Sequence, residues 1–145
     1  MFTKILVATD GSEDALRGAE VAAELALRFH SRVTLLSVYA PSPISSTDFG
    51  AYELEDAVIR DLHAAVLTRT SAPFVARDVE FEARQETGNP AAVIVNVAEQ
   101  EKDDLIVVGR HGVGGLRRFL LGSVSDRVAH YAHCPVLIVK PEIDK

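Results

Sequence analysis

The chain of 145 residues contains one cysteine, Cys134, and no tryptophan. A single thiol excludes an intrachain disulfide bond and a metal site built from several cysteines. No apolar run approaches the roughly 20 residues needed to cross a bilayer, and a strand pattern begins at Thr3 without a charged-then-apolar leader. These absences predict a cytoplasmic protein with no membrane partner.

Basic residues are in the minority, with 15 Lys and Arg against 21 Asp and Glu and a formal net charge of -6. Broad nucleic-acid binding needs a basic footprint, so we expect no nucleic-acid partner. The acid is unevenly spread, because no carboxylate occurs between Asp104 and Asp126. Arg110, Arg117 and Arg118 lie in that window, where they form either a solvated turn or a local funnel for an anion.

The length favours one domain, residues 1–145, and short apolar runs alternate with helical patterns along it. This order predicts an α/β fold with a mainly parallel sheet covered by helices on both faces. The predicted strands are Lys4–Ala8, Arg32–Val38, Asp78–Ala83, Asp104–Val108 and Val136–Lys140. The predicted helices are Glu13–Phe29, Ala51–Thr70, Pro90–Glu101 and Val124–Ala132.

Local signals support the helix positions. Ser12 and Asn89 are placed to cap the first and third helices, and Pro90 takes a first-turn position where its missing N–H costs nothing. Residues 40–50 are irregular, and we expect either a plain surface loop or a lid or partner contact there. The second helix has an apolar face predicted from four-residue spacing: Leu54, Val58, Leu62 and Val66.

A glycine-rich segment, 109–115, follows the fourth predicted strand, and Gly122-Ser123-Val124-Ser125 opens the last predicted helix. Glycines let backbone N–H groups approach an anion closely, and serine hydroxyls add further donors. The N-terminus of a helix carries partial positive charge. This strand–loop–helix arrangement is typical of a phosphate cradle and predicts a nucleotide or another phosphorylated ligand.

Each candidate residue also has a purely structural interpretation. Asp10 can accept hydrogen bonds from ribose hydroxyls or help to hold a divalent cation, but it can also favour the helix start beside Ser12. Gly109 can serve a tight turn, and Ser123 can be an N-cap without a ligand. Val108 is expected mainly to pack in the core, and its other interpretation is that it lines the wall of the pocket.

Several catalytic motifs are missing. The sequence has no GxxxxGK[ST] phosphate loop and no serine–glycine–glycine pyrophosphatase loop. Its histidines lack the spacing of a metal site, so we expect no metal held by the protein alone. No residue is recognisable as a general base for attack by water, which predicts at most slow hydrolysis of a bound nucleotide.

The glycine spacing, Gly109-x2-Gly112-x9-Gly122-Ser123, resembles the signature of the ATP-binding branch of the universal stress proteins. Three further blocks resemble the same family in the same order, so the resemblance covers nearly the whole chain. These blocks are 5–12 (ILVATDGS), 88–94 (GNPAAVI) and 134–139 (CPVLIV).

The family resemblance implies a Rossmann-like sheet of order 3-2-1-4-5, whose chain reversal between strands one and four creates a ligand crevice. It implies that the backbone of Val38 reads the adenine edge and that Gly122 and Ser123 bind the terminal phosphates. It also implies ATP or another adenine nucleotide as cofactor, with Mg²⁺ near Asp10. The implied ATP-binding residues are Ala8, Thr9, Asp10, Val38, Val108, Gly109, His111, Gly112, Gly122, Ser123, Val124 and Ser125.

Three functions remain open on the sequence. The chain is a nucleotide-dependent regulatory or sensing module, a slow ATPase or an enzyme that phosphorylates itself on Ser123 or Ser125, or a ligand-free dimeric scaffold. A homodimer is expected through the C-terminal strand, because Val136–Val139 is an apolar strand at a sheet edge under the family topology.

Overall fold

The computed structural model describes residues 1–40, 49–111 and 122–141. Within these ranges one five-stranded sheet carries four helices. The strands are β1 (Lys4–Ala8), β2 (Arg32–Tyr39), β3 (Phe81–Thr87), β4 (Leu105–Gly109) and β5 (Val136–Val139). The helices are α1 (Glu13–Phe29), α2 (Phe49–Ala76), α3 (Pro90–Glu101) and α4 (Ser123–Tyr131).

The strand order is β3-β2-β1-β4-β5, and every pairing is parallel. This confirms the predicted fold class and the order 3-2-1-4-5. β1 is central and pairs with β2 on one side and β4 on the other. The chain therefore reverses its direction of winding at β1, and the crevice at that point opens beyond the carboxyl ends of β1, β2 and β4.

The central strands of the sheet are buried on both faces, and side chains of successive strand residues point to opposite faces. In β1, Ile5 and Val7 join one apolar cluster with α1 and α2, whereas Leu6 joins a second cluster with α3 and α4. All three are fully buried. The continuous apolar run of β1 thus reflects a strand that is covered on both faces.

α1 packs closely because its inner face is made of alanines. Ala19, Ala22 and Ala23 are fully buried against the sheet. The predicted cap is confirmed, since the Ser12 hydroxyl accepts a hydrogen bond from Ala15 N–H at 3.2 Å. The Asn89 side chain caps α3 in the same way, through Ala92 N–H at 3.1 Å.

The prediction for α2 was wrong in length and in face. The helix ends at Ala76 rather than Thr70 and contains Pro73. Val58 and Leu62 are 57% and 61% exposed, and among the described side chains of α2, residues 55–76, those of Leu67, Thr70 and Phe74 are buried. The side chain of Leu54 lies outside the described part. A strict four-residue spacing drifts by about 40° per step around a helix of 3.6 residues per turn, so that series does not stay on one face.

The third strand also begins later than predicted, at Phe81 instead of Asp78. Asp78 has a positive φ of 54°, and its N–H donates to Val75 C=O at 3.2 Å. It therefore belongs to the turn that ends α2. The expected half exposure of the strand is confirmed, because β3 is an edge strand of half-buried and exposed residues. Within the described ranges, no helix combines the length and apolar character needed to cross a membrane.

A buried carboxylate lies at the amino end of β4. Asp103 is 2% exposed, and neither of its oxygens has a hydrogen-bond partner among the described residues. Burial raises the pKa of Asp103 to about 6, against an opposing effect of Lys4 and with a contribution from Glu101. Burial acts in the same direction on the neighbouring Asp104, but hydrogen bonds from the N–H groups of Thr3 and Lys4 bring its pKa below the ordinary value.

Asp103 should make the fold more stable in mild acid. Its pKa is higher in the folded than in the unfolded chain, so the stabilisation by protonation is complete below about pH 4 and is lost as pH rises through 6. We expect Asp103→Asn to raise the free energy of unfolding at pH 7.5 by about 1 to 3 kcal/mol, and the difference from wild type to shrink at pH 5. Denaturant unfolding at both pH values measures this; a difference that does not vary with pH contradicts it.

Candidate functional site

The crevice at the carboxyl edge brings three sequence segments together. The turn after β1 contributes residues 9–12, β2 contributes its last residues, and the end of β4 leads into the glycine-rich segment. Gly112 lies outside the described residues, as do Arg117 and Arg118 and most of the 40–50 loop. The other eleven candidate residues can be located.

The backbone N–H and C=O of Val38 point to the side of β2 on which β1 lies. In a parallel strand, the N–H and C=O of one residue point to the same neighbour, and successive residues alternate between neighbours. Leu36 C=O accepts Thr9 N–H at 2.9 Å on the β1 side, and Tyr39 C=O accepts Gly88 N–H at 3.0 Å on the β3 side. Val38 therefore presents its N–H and C=O to the β1 side.

β1 does not extend far enough to pair with Val38. Its last paired residue is Ala8, opposite Leu36, and the chain then turns away into α1. A donor and an acceptor consequently stand side by side beyond the end of β1. This pair can read one acceptor nitrogen and one amino group on the edge of a purine, with no contribution from a side chain.

The turn after β1 is organised by Asp10 and Gly11. Asp10 Oδ1 accepts Ser12 N–H at 2.9 Å, and Gly11 has a positive φ of 82° that favours glycine. Ser12, not Asp10, caps α1. The Asp10 side chain is exposed at the crevice, as a ligand role requires. Thr9 is buried, so its side chain belongs to the interior rather than to the crevice surface.

α2 is fastened to this edge by contacts that the sequence analysis missed. The hydroxyls of Thr9 and Thr70 are 2.9 Å apart, and Arg69 Nη2 donates to Gly11 C=O at 3.0 Å. The hydroxyl of Ser37, which is fully buried, is hydrogen-bonded to Nδ1 of His63. Burial lowers the pKa of His63, which favours its neutral ring.

Gly109 allows α1 to approach the end of β4. A Cβ on Gly109 would lie 2.7 Å from Asp14 Cβ and 2.9 Å from Ala15 N, both too close for contact. The missing side chain thus makes room for the first turn of α1, a reason distinct from the tight turn and the ligand contact considered on the sequence. Val108 is 3% exposed and lies in the apolar cluster under α3 and α4.

α1 also holds the first peptide of the glycine-rich segment. His111 N–H donates to Asp14 Oδ2 at 2.9 Å, and the Ser12 hydroxyl lies 3.5 Å from His111 C=O. The same carboxylate oxygen lies 4.0 Å from Nδ1 of the His111 ring. The N–H of His111 is therefore engaged by Asp14 in this structure.

The N-cap of α4, Gly122, contacts the same peptide. Gly122 N–H donates to Arg110 C=O at 2.8 Å, and the Ser125 hydroxyl donates to the same oxygen at 2.8 Å. A Cβ on Gly122 would lie 3.0 Å from that oxygen and 3.3 Å from His111 Cα. The N-terminus of α4 is therefore joined to the end of β4.

The N-cap interpretation of Ser123 was wrong. Gly122 is the N-cap of α4, without a side-chain hydrogen bond, and Ser123 is the exposed first residue of the helix. The first intrahelical bond runs from Asp126 N–H to Gly122 C=O at 3.0 Å. The N–H groups of Ser123, Val124 and Ser125 precede it and are available to an anion by helix geometry. Ser125 itself is 3% exposed, with its hydroxyl turned inward.

The family follows from the whole chain rather than from the site alone. The family model described as the universal stress protein family matches residues 1–140. The chain belongs to this family. Universal stress protein MJ0531 of Methanocaldococcus jannaschii is 37% identical over 141 residues, which cover 97% of this chain and 83% of that protein. A universal stress protein of Thermus aquaticus is 38% identical and covers 97% of this chain and 100% of its own length.

Solved structures agree with this membership. The structure of hypothetical protein MJ0577 is similar with a TM-score of 0.80 at 30% identity and covers 99% of both chains. A universal stress protein in complex with cAMP has a TM-score of 0.69 at 28% identity, over 96% of this chain and 97% of that one. A universal stress protein family member from Arabidopsis thaliana, with AMP bound, has a TM-score of 0.69 at 26% identity, over 99% and 94%.

The close approach at Gly109 predicts an intolerant position. We expect Gly109→Ala to lower the free energy of unfolding by about 1 to 3 kcal/mol, because Asp14 and Ala15 must move. Gly18→Ala is the matched control within α1, since its Cβ would come no closer than 3.6 Å to Val107 and alanine favours a helix. Denaturant unfolding compares the two variants, and equal stability would contradict the packing role of Gly109.

Proposed function

We propose that this chain binds an adenine nucleotide, ATP above all, and acts as a nucleotide-dependent regulatory or sensing module in the stress response. The observation that carries the proposal is the N–H and C=O of Val38, which stand together beyond the end of β1. The AMP and cAMP bound to structurally similar universal stress proteins support it.

The residues of the crevice fit the parts of such a ligand. In the proposal, Val38 reads the adenine edge through its backbone, and the exposed carboxylate of Asp10 accepts the ribose hydroxyls. The backbone N–H groups at the start of α4 receive the terminal phosphates. Gly122 lets these groups approach the anion because it brings no side chain to the helix start.

Mg²⁺ enters this proposal with the nucleotide rather than as a resident ion. Among the described residues, no group of three or more His, Cys, Asp or Glu side chains is arranged to hold a metal. Phosphate oxygens supply many of the ligands of Mg²⁺ in nucleotide sites, and Asp10 offers one carboxylate from the protein. A cytoplasmic location is also part of the proposal, supported by the single free cysteine.

Slow hydrolysis or self-phosphorylation is the second candidate. It is favoured by the exposed position of Ser123, whose hydroxyl lies at the helix start that receives the phosphates. Ser125 is a poorer phosphate acceptor because its hydroxyl is buried against Arg110 C=O. The chain has no phosphate-loop lysine to clamp the transferred group, so we expect turnover to be slow.

Nucleotide binding is tested on freshly purified protein. We expect heat denaturation to release an adenine nucleotide detectable by mass spectrometry, and the stripped protein to bind ATP with Mg²⁺ in calorimetric titration. Gly122→Val should weaken the binding of ATP by about tenfold or more. A Cβ at position 122 would lie 3.0 Å from Arg110 C=O, and the two methyl groups of valine would crowd the phosphate end.

Two controls accompany this experiment. Thermal unfolding of Gly122→Val checks that the variant is folded, and titrations with ADP, AMP and cAMP determine which nucleotide is preferred. If no ligand is released and no heat of binding is seen at millimolar nucleotide, the proposal is contradicted. The ligand-free scaffold would then become the leading function.

The homodimer is the second part of the proposal. Among the described residues β5 pairs with β4 alone, and Val136, Leu137 and Ile138 are half-buried. An apolar edge strand favours pairing with another chain, and a two-fold dimer hides both edges. We propose that two copies associate through Val136–Val139.

Charge on this strand tests the dimer from either face. Leu137 packs toward the α1 and α2 side of the sheet and Ile138 toward the α3 and α4 side. We expect wild type to sediment as a dimer and at least one of Leu137→Lys and Ile138→Lys to sediment as a folded monomer. If both variants remain dimeric, the interface lies elsewhere.

A further inference from the structure

Asp14 is a buried carboxylate that the nucleotide proposal does not use. It lies in the first turn of α1 and is 8% exposed, whereas its neighbour Glu13 is exposed. The cap of α1 is supplied by Ser12, which accepts the N–H of Ala15. Asp14 directs Oδ2 to a different target, the N–H of His111 at 2.9 Å. This contact joins two segments that are 97 residues apart in sequence.

The contact is stronger than an ordinary hydrogen bond. Its acceptor belongs to an acidic side chain, and the side chain of Asp14 is only 11% exposed, so water competes little for it. The approach that permits it depends on Gly109, where any Cβ would collide with Asp14. The sequence thus provides both the acceptor and the space that brings it to His111.

Both polar groups of the peptide between Arg110 and His111 are held by hydrogen bonds. Arg110 C=O accepts hydrogen bonds from Gly122 N–H and the Ser125 hydroxyl, both on the α4 side. His111 N–H is held from the α1 side by Asp14. This peptide is therefore held from two helices, and it connects the first turn of α1 to the N-terminus of α4.

We propose that Asp14 is a positioning residue for the phosphate end of the nucleotide site. By holding the peptide between Arg110 and His111, it fixes the carbonyl group to which the N-terminus of α4, the proposed phosphate-binding element, is hydrogen-bonded. The inference rests on the proposed function and adds a residue to it. Asp14 touches no ligand in this proposal. It acts on the phosphate end and leaves the adenine and ribose contacts of Val38 and Asp10 unchanged.

Two ligands and three variants test this role. The ligands are ATP with Mg²⁺ and adenosine, which carries no phosphate; the variants are Asp14→Ala, Asp14→Asn and Glu13→Ala. We expect Asp14→Ala to raise the dissociation constant of ATP by about 10- to 100-fold, which is the range of a hydrogen bond to a charged group. The dissociation constant of adenosine should change by less than about threefold. Asp14→Asn keeps an oxygen that accepts His111 N–H, so it should bind ATP within about threefold of wild type or more tightly.

Glu13→Ala is the matched control, because it removes a carboxylate from the same helix start without touching His111. It should bind both ligands as wild type does. Calorimetry or ligand-observed NMR gives the dissociation constants, and the affinity for adenosine shows that each variant is folded at the site.

Several results would overturn the inference. Asp14→Ala does so if it binds ATP as Glu13→Ala does, if it loses ATP and adenosine equally, or if it binds ATP more tightly. The last result would mean that the released His111 N–H serves the phosphate better than the held one. Failure of Asp14→Asn to restore ATP binding also overturns it. Wild type that binds neither ligand overturns the proposed function, and this inference with it.

Discussion

β1 leaves the sheet at Ala8, whereas β2 continues to Tyr39 beside the gap that it leaves. This difference in strand length determines the geometry of the carboxyl edge. It leaves Val38 without a paired residue in β1, and it starts α1 at the carboxyl edge of the sheet, next to Val38. A longer β1 would pair with Val38 and occupy the backbone groups to which we assign adenine recognition in the proposed function.

The early start of α1 organises the other half of the crevice. Its first turn contacts Gly109 closely enough to exclude any side chain there, and Ser12 and Asp14 reach the His111 peptide. α4 begins on the opposite side of the same peptide and holds Arg110 C=O. Two helix N-termini thus converge on one backbone segment, and their partial positive charges favour an anion in a chain whose net charge is negative.

Local patterns predicted the elements well where one signal dominates. β1, α1 and α3 have the predicted bounds because their caps and apolar runs are unambiguous. α2 was misjudged because the helix continues past Pro73, and because its packed side is defined by contact with α1 and the sheet. The strand order could be taken only from the family resemblance, since no local signal states which strands are neighbours.

The candidate site was predictable as a set of motifs but not as a geometry. The glycine spacing and Asp10 pointed to the carboxyl edge of the sheet, and the structure places Asp10 and Gly109 at that edge. The orientation of the Val38 backbone depends on strand register, and the bond between Asp14 and His111 joins residues 97 positions apart. Neither leaves a trace in local composition. The same is true of Ser37 and His63, which are joined only when α2 packs on β2.

The hydrogen bond from Gly122 N–H to Arg110 C=O joins the residue that follows β4 to the N-cap of α4. Both partners of this bond are backbone groups, so it does not require a particular side chain at position 110, whereas any side chain at position 122 would place its Cβ 3.0 Å from Arg110 C=O. The junction between β4 and α4 therefore restricts the choice of residue at position 122 more than at position 110.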